Sequence, residues 1–100
     1  MNTLHIGFIG LGLIGGSIAK ALKKNIPDCF ITAYDINSES LELAIKDQIV
    51  NKAARNIDDS FHTCDFIFLC APVQKNLEYL TLLKDVIRPD CLLTDVGSVK

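Results

Sequence analysis

A chain of 100 residues, 49% of them hydrophobic and 22% charged, has the composition of one soluble globular domain and is too short to hold two cores. Ten Lys and Arg against twelve Asp and Glu give a formal charge of −2, which disfavours binding to nucleic acid or to an anionic membrane. No apolar run reaches the roughly 18 residues of a transmembrane helix, and the N-terminus lacks the features of a signal peptide. We therefore expect a cytoplasmic protein.

The first half of the chain reads as two strand–helix pairs. Residues 4–10 form an apolar run with β-branched and aromatic side chains that ends at a glycine, which predicts a buried central strand. Apolar residues at helical spacing predict a helix over residues 13–24. A second strand is expected at Phe30–Tyr34, ending on Asp35, and a further helix is expected to follow with Ser38 as its N-cap.

The second half continues the alternation. A short third strand is expected near residues 52–55 and a brief helix near residues 58–62. The clearest buried strand is residues 66–71, and the helix after it is expected to run until Pro89 and Asp90. One face of that helix carries Leu77, Leu80, Leu83 and Ile87. With a last strand at residues 91–94, the order predicts an α/β fold of the Rossmann type, a doubly wound parallel sheet of order 3-2-1-4-5 with helices on both faces.

A glycine-rich segment joins the first strand to the first helix and satisfies G-x-G-x-x-G in the context that this motif requires. Gly10 permits a tight turn, Gly12 allows a pyrophosphate to approach the main chain, and Gly15 allows the helix to pack close to the strand. The anion would then lie on the free amides of the helix N-terminus. The residues between these glycines, which we also place in the cofactor site, are Leu11, Leu13 and Ile14.

Asp35 strengthens this interpretation because it stands twenty residues after Gly15, at the end of the second strand. A carboxylate there accepts hydrogen bonds from the adenosine ribose diol and repels a 2′-phosphate. No Arg or Lys lies between Asp35 and Lys46 to bind such a phosphate, so NAD is favoured over NADP. The alternatives are a glycine turn that serves packing alone and an Asp35 that serves as a turn or cap residue.

Two further loops are expected at the same crevice, because ligands of open parallel sheets bind beyond the carboxyl ends of the strands. Small residues in these loops would let the nicotinamide half lie against the backbone. For the proline, a purely structural role before a helix is an equal alternative. The residues concerned are Cys70, Ala71, Pro72, Val73, Asp95 and Gly97.

The four cysteines show no paired ligand spacing, and each lies in or beside an apolar stretch. We expect free thiols, with neither disulfides nor zinc. Cys70 could be read as a nucleophile near the cofactor, but no nearby His or Lys in the sequence would make it a thiolate, so we interpret it as a packing residue.

The motifs together are more specific than a generic dinucleotide-binding domain. The run G-L-G-L-I-G-G-S at residues 10–17, the pair Tyr34-Asp35, the C-A-P-V at residues 70–73 and the D-V-G-S-V-K at residues 95–100 resemble the N-terminal part of the prephenate dehydrogenase family, whose arogenate dehydrogenases share the pattern. The resemblance covers essentially the whole chain.

The resemblance implies an enzyme of tyrosine biosynthesis that transfers a hydride from prephenate to NAD with loss of carbon dioxide, giving 4-hydroxyphenylpyruvate. It implies that Ser98 helps to position the substrate hydroxyl, although a helix-capping role is an equal alternative, and that Lys100 lies on the substrate side, where a solvated lysine is the alternative. It also implies that the catalytic His and the substrate-binding Arg residues are supplied downstream of the G-S-V-K motif and from a helical dimerisation domain, which forms a homodimer and is missing from this chain.

Two other functions remain open from the sequence. One is another small-acid dehydrogenase or imine reductase with the same first half. The other is a non-enzymatic module whose bound NAD regulates a partner. The expected ligands are a small-molecule substrate and NAD, without nucleic acid or membrane, and this chain alone is expected to bind NAD without turning over prephenate.

Overall fold

The computed structural model describes residues 3–71 and 73–95 and forms a single parallel sheet of five strands in the order 3-2-1-4-5. The α/β architecture and the strand order expected from the sequence are therefore confirmed. The strands are β1 (His5–Ile9), β2 (Phe30–Tyr34), β3 (Lys52–Ala54), β4 (Phe66–Leu69) and β5 (Leu92–Asp95). The helices are α1 (Gly12–Asn25), α2 (Ser38–Lys46) and α3 (Val73–Leu83), and a 3-10 turn covers Asp59–Phe61.

The alternation of side chains along each strand divides the core between the two faces of the sheet. On one face, Ile6 and Phe8 of β1 belong to a cluster that includes Ala19 of α1 and Leu41 of α2. On the other face, Ile9 belongs to a second cluster, which includes Ile67 of β4, Phe61 of the 3-10 turn and Leu83 of α3. Because both faces of β1 are covered, this strand is apolar and buried from Ile6 to Ile9, as expected for a central parallel strand.

The order of the strands places a crevice between β1 and β4. The chain passes from β1 to β2 on one side and later returns to β4 on the other side of β1. The loops after these two strands therefore leave the sheet in opposite directions, which is the point at which open α/β sheets bind ligands.

Helix α2 is capped by a different residue from the one expected. Ser38 is its first helical residue, and the N-cap is Asn37, whose side-chain oxygen accepts hydrogen bonds from the amides of Glu39 at 2.9 Å and Ser40 at 3.4 Å. Asn37 has extended backbone dihedrals, which an N-cap requires, whereas Ser38 already has the helical conformation. The prediction of Ser38 as the cap was wrong by one position.

Helix α3 ends at Leu83, six residues before the proline that was expected to end it. The amides of Val86 and Ile87 both donate to the carbonyl of Leu83, so the chain turns there. The Val86 carbonyl accepts a hydrogen bond from the ring Nδ1 of His62 at 2.8 Å, which holds that turn against the neighbouring segment. The expected apolar face is correspondingly shorter, since Leu83 is buried but Leu77 is 68% exposed.

Three smaller findings complete the fold. Strand β4 ends at Leu69 instead of residue 71, because the amide of Cys70 makes the last ladder bond, to Ile9, before the chain turns. Over the described ranges, no helix is long and apolar enough to cross a membrane. The four cysteines are free, and the described residues contain no group of three or more His, Cys, Asp and Glu that could hold a metal ion.

Candidate dinucleotide-binding site

The glycine segment forms a turn whose shape depends on two glycines in the left-handed region. Gly10 has φ of +85° and Gly12 has φ of +51°, values that other residues rarely adopt. A Cβ on Gly10 would lie 2.7 Å from the backbone nitrogen of Ala71, so this turn packs directly against the loop that follows β4. The tight turn expected at Gly10 is present.

Gly12 differs from Gly10 in that a Cβ placed on it would meet nothing within 4 Å. It faces open space at the first residue of α1. The first turn of α1 contains no acidic residue, and no side chain caps it. Free amides at the positive end of a helix, beside an open glycine, are suited to an anion such as a pyrophosphate.

Gly15 lies underneath this turn and is buried. A Cβ there would approach the carbonyl oxygen of Gly10 to 3.0 Å and the sulfur of Cys70 to 3.4 Å. The role expected for it, close packing of the helix on the strands, agrees with these contacts. Ile14 is 53% exposed.

Asp35 is held at the mouth of the turn by both of its carboxylate oxygens. Oδ2 accepts a hydrogen bond from the backbone amide of Leu11 at 2.7 Å, and Oδ1 accepts one from the amide of Asn37 at 2.8 Å. A carboxylate offers about four acceptor positions, so two remain for hydroxyl groups. The contact with Leu11 also ties the acidic residue directly to the glycine turn.

A cleft of about 300 Å³ lies between the glycine turn, the end of β2 and the start of α3. Six of the residues that the sequence assigned to the cofactor line this cleft: Gly10, Leu11, Gly12, Asp35, Cys70 and Ala71. The structure thus brings together residues that are up to 61 positions apart in the chain.

The remaining predicted residues lie elsewhere or outside the described part of the chain. Asp95 ends β5 at the same edge of the sheet, in register with Leu69, and acts electrostatically on Cys70. Val73 begins α3, but its side chain and that of Leu13 are not described. Outside the described residues lie Pro72, Gly97, Ser98 and Lys100.

Burial, together with the nearby charge of Asp95, raises the pKa of the Cys70 thiol to about 11. A thiol with this pKa is protonated at neutral pH and is a poor nucleophile. The Cys70 sulfur would lie 3.4 Å from a Cβ placed on Gly15. This close approach fits the packing role assigned to Cys70 from the sequence.

The cleft also contains residues that the sequence analysis missed, namely Ile36, Lys75 and Tyr79. Ile36 is 77% exposed, although it is a large apolar side chain. Tyr79 contacts Tyr34 edge to face, with ring centroids 5.7 Å apart. Burial first, and then Tyr34, raises the pKa of Tyr79 above its usual value of 10.0, so this hydroxyl remains protonated at neutral pH.

A signal for the missed residues of α3 was present in the sequence. Lys75 and Tyr79 are four residues apart, so both lie on one face of α3, and that helix begins at the crevice. Lys75 also pairs with Glu78 at 3.5 Å. A search of the first two turns after β4 for residues on one face would have found both.

Taken together, the parallel sheet, the open glycine turn and the acidic residue at the end of β2 define a Rossmann-type nucleotide-binding domain. Residues 18–100 match the family model described as prephenate dehydrogenase, nucleotide-binding domain. The chain belongs to the prephenate dehydrogenase family.

Individual relatives agree with this assignment. Prephenate dehydrogenase of Bacillus subtilis is 38% identical over 92 residues, which are 91% of this chain and 25% of that protein. The structure of prephenate dehydrogenase from A. aeolicus in complex with hydroxyphenyl propionate and NAD+ has a TM-score of 0.89 at 32% identity, covering 100% of this chain and 35% of that one. Synechocystis arogenate dehydrogenase has a TM-score of 0.86 at 34% identity, covering 97% of this chain and 34% of that one.

The chain spans between a quarter and a third of the length of the curated relatives that it matches. These relatives are dehydrogenases, and the family model that this chain matches is that of a nucleotide-binding domain.

Proposed function

We propose that this chain binds NAD and supplies the cofactor half of a dehydrogenase that converts prephenate to 4-hydroxyphenylpyruvate in tyrosine biosynthesis. The observation that carries the proposal is the Asp35 carboxylate, held 2.7 Å from the Leu11 amide at the mouth of an open glycine turn. The A. aeolicus relative is described in complex with NAD+, which supports the same ligand here.

The residues of the cleft fit the parts of NAD. The uncapped N-terminus of α1 and the open side of Gly12 would receive the pyrophosphate. Asp35 would accept hydrogen bonds from the adenosine ribose hydroxyls through its two remaining acceptor positions. Gly10 and Ala71, packed against each other, form the wall of the cleft between β1 and β4.

Bound NAD would accept a hydride from the ring carbinol carbon of the substrate. Withdrawal of the hydroxyl proton by a base and departure of the ring carboxylate as carbon dioxide complete an aromatic product. We assign Ser98 to positioning the substrate hydroxyl and Lys100 to the substrate side, and we place the base and the carboxylate-binding groups downstream of the G-S-V-K motif and in a helical dimerisation domain. A homodimer of the longer protein and a cytoplasmic location remain predictions.

Arogenate is the second candidate substrate, favoured by the likeness to Synechocystis arogenate dehydrogenase. It differs from prephenate only in an amino group where prephenate has a keto group, and no described residue reads that position. Steady-state assays of the longer protein with both substrates decide between them: a higher kcat/KM for arogenate would overturn the choice of prephenate.

Calorimetric titration of the chain with NAD and NADP tests the cofactor assignment. We expect NAD to bind more tightly, and we expect Asp35→Asn to weaken NAD binding by about tenfold or more, because a charge-assisted hydrogen bond contributes roughly 1.5–3 kcal/mol. Asp28→Asn, which makes the same change in charge at an exposed turn before β2, should leave both affinities unchanged. Equal affinities of the unmodified chain for NAD and NADP would refute the ribose assignment.

A further inference from the structure

Arg55 lies at the edge of the sheet beside Asp35, although the two are twenty residues apart in the sequence. Tyr34 and Ala54 are partners in the parallel register of β2 and β3. The residues that follow them, Asp35 and Arg55, therefore leave neighbouring strands at the same edge. Both line a groove of about 1150 Å³ between α2 and β3.

This groove meets the dinucleotide cleft at the end of β2. Tyr34, Asp35 and Ile36 line both the cleft and the groove. A ribose held by Asp35 would therefore have the glycine turn on one side and the groove on the other. In this fold class the acidic residue after β2 bonds the ribose 2′-hydroxyl, so a substituent on the 2′-oxygen would lie near the residues that the cleft and the groove share.

The guanidinium of Arg55 is available for a ligand. It is exposed, and it makes no ion pair or side-chain hydrogen bond with any residue in the described ranges. Arg88 provides the contrast, because its guanidinium is bonded to Asp65 at 2.6 Å. A guanidinium remains charged at all physiological pH values and matches the geometry of a phosphate with two parallel donors.

We propose that Arg55 binds the 2′-phosphate of NADP, so that the domain accepts NADP as a second, weaker dinucleotide and Arg55 determines how much weaker. The inference rests on the proposed binding of NAD at Asp35. It modifies the sequence-based preference for NAD over NADP, which rested on repulsion by Asp35 and on the lack of an Arg or Lys between Asp35 and Lys46.

The other charges of the groove determine the order of the two affinities. Glu39 and Glu42 line it together with Lys46, so carboxylates, including that of Asp35, outnumber the cations. A 2′-phosphate would be repelled by the acidic groups and attracted by Arg55, the cation adjacent to Asp35 in the strand register. NAD should therefore remain the tighter ligand, and NADP should retain an affinity that depends on Arg55.

The test compares the dissociation constants of NAD and NADP for the chain and its Arg55→Ala variant. We expect the variant to bind NADP about tenfold more weakly, as for loss of a bidentate charged contact, and to bind NAD within twofold of the original affinity. Arg55→Lys keeps the charge but loses the planar guanidinium, so its affinity for NADP should lie between those of the original chain and Arg55→Ala. Lys52→Ala is the matched control, because it removes a positive charge from the opposite end of β3, outside the groove.

The same comparison in the Asp35→Asn variant makes the result decisive even if NADP binds to the unmodified chain too weakly to be measured. Asp35→Asn removes the nearest repulsive charge and should strengthen NADP binding, and adding Arg55→Ala should cancel that gain. If NADP does not bind even to Asp35→Asn, or if Arg55→Ala changes the NAD and NADP affinities equally or changes neither, the inference is overturned while NAD binding stands. If NAD itself does not bind to the unmodified chain, the proposed function fails instead.

Discussion

The two edges of the same five-stranded sheet are built in different ways. At the carboxyl edge, Gly10 and Gly12 have left-handed backbones, Ile36 is largely exposed, and Arg55 has no partner among the described residues. At the amino edge, the charged groups of Asp65 and Arg88 are paired with each other. The comparison indicates that left-handed glycines and an unpaired cation lie where a ligand would bind, whereas the charged groups of Asp65 and Arg88 at the opposite edge are paired with each other.

The amino edge is organised around Asp65, which joins β1, β4 and the segment before β5. Its Oδ2 accepts a hydrogen bond from the His5 amide at 3.0 Å and its Oδ1 accepts one from Arg88 at 2.6 Å. The hydrogen bond from His5 first, and then the one from Arg88, hold the pKa of Asp65 below its usual value of 3.8. The carboxylate is thus stabilised in its charged form by the folded state.

The largest effect should come from placing a side chain on the left-handed glycine turn of the carboxyl edge. In Gly10→Ala the new Cβ would lie 2.7 Å from the Ala71 nitrogen, at a φ of +85°. Overpacking against backbone and an unfavourable left-handed conformation together predict a loss of about 3 kcal/mol of unfolding free energy. The melting temperature should fall by about 10 °C or more.

Gly16→Ala is the matched control in the same segment. A Cβ at Gly16 meets nothing within 4 Å, and the position is helical, so alanine should be neutral or stabilising by up to about 1 kcal/mol. If Gly10→Ala melts at the temperature of the original chain, the close packing of the glycine turn on Ala71 does not set the carboxyl edge apart.

A smaller effect is expected at the amino edge. Asp65→Asn removes the ion pair with Arg88, whose buried Nε has no hydrogen-bond partner among the described residues. Because Asp65 and Arg88 are 40% and 37% exposed, solvent screening limits the loss to about 1 kcal/mol. Affinity for NAD should not change, since none of the groups involved lines the cleft.

The dependence on pH gives this prediction a second measurement. A folded pKa below the usual value means that the stabilisation is complete well above pH 3.8 and is lost as the pH falls through the folded pKa. The difference in urea-unfolding free energy between the original chain and Asp65→Asn should therefore be present at pH 7 and shrink toward pH 3. A difference that is constant over this range would show that packing, not charge, is lost. Asp85→Asn, at an exposed turn position, should show no difference at either pH.

How much the sequence revealed also differs between local and distant contacts. The glycine turn, Asp35 and the alternation of strands and helices depend on neighbouring residues and on the order of elements, and the structure places them as expected. Tyr79 reaches the cleft because α3 begins there, and helix phase in the sequence was enough to find it. Arg55 reaches the adjoining groove only because β3 lies beside β2, and the sequence patterns do not specify that strand register at single-residue precision.

The errors at helix ends have a related cause. A cap is selected by backbone dihedrals, so two adjacent polar residues such as Asn37 and Ser38 are equivalent in the sequence but not in the fold. The turn that follows α3 makes a hydrogen bond with His62, which is 24 residues away from Val86 in the sequence. Such a contact carries no local signal.

Asn37 tests how far the division between the two edges holds, because it lies at the carboxyl edge and yet has a structural role. Its side chain accepts hydrogen bonds from two amides of the first turn of α2, so Asn37→Ala should cost about 1 kcal/mol of unfolding free energy. Ser38→Ala, at the first helical position, should cost much less, and thermal melts of the two variants measure the difference. Since the bond to Asp35 uses the backbone amide of residue 37, NAD affinity should stay within about twofold. A large loss of NAD affinity in Asn37→Ala would show instead that cap and carboxylate act as one unit, and that stability and binding are not separated at this edge.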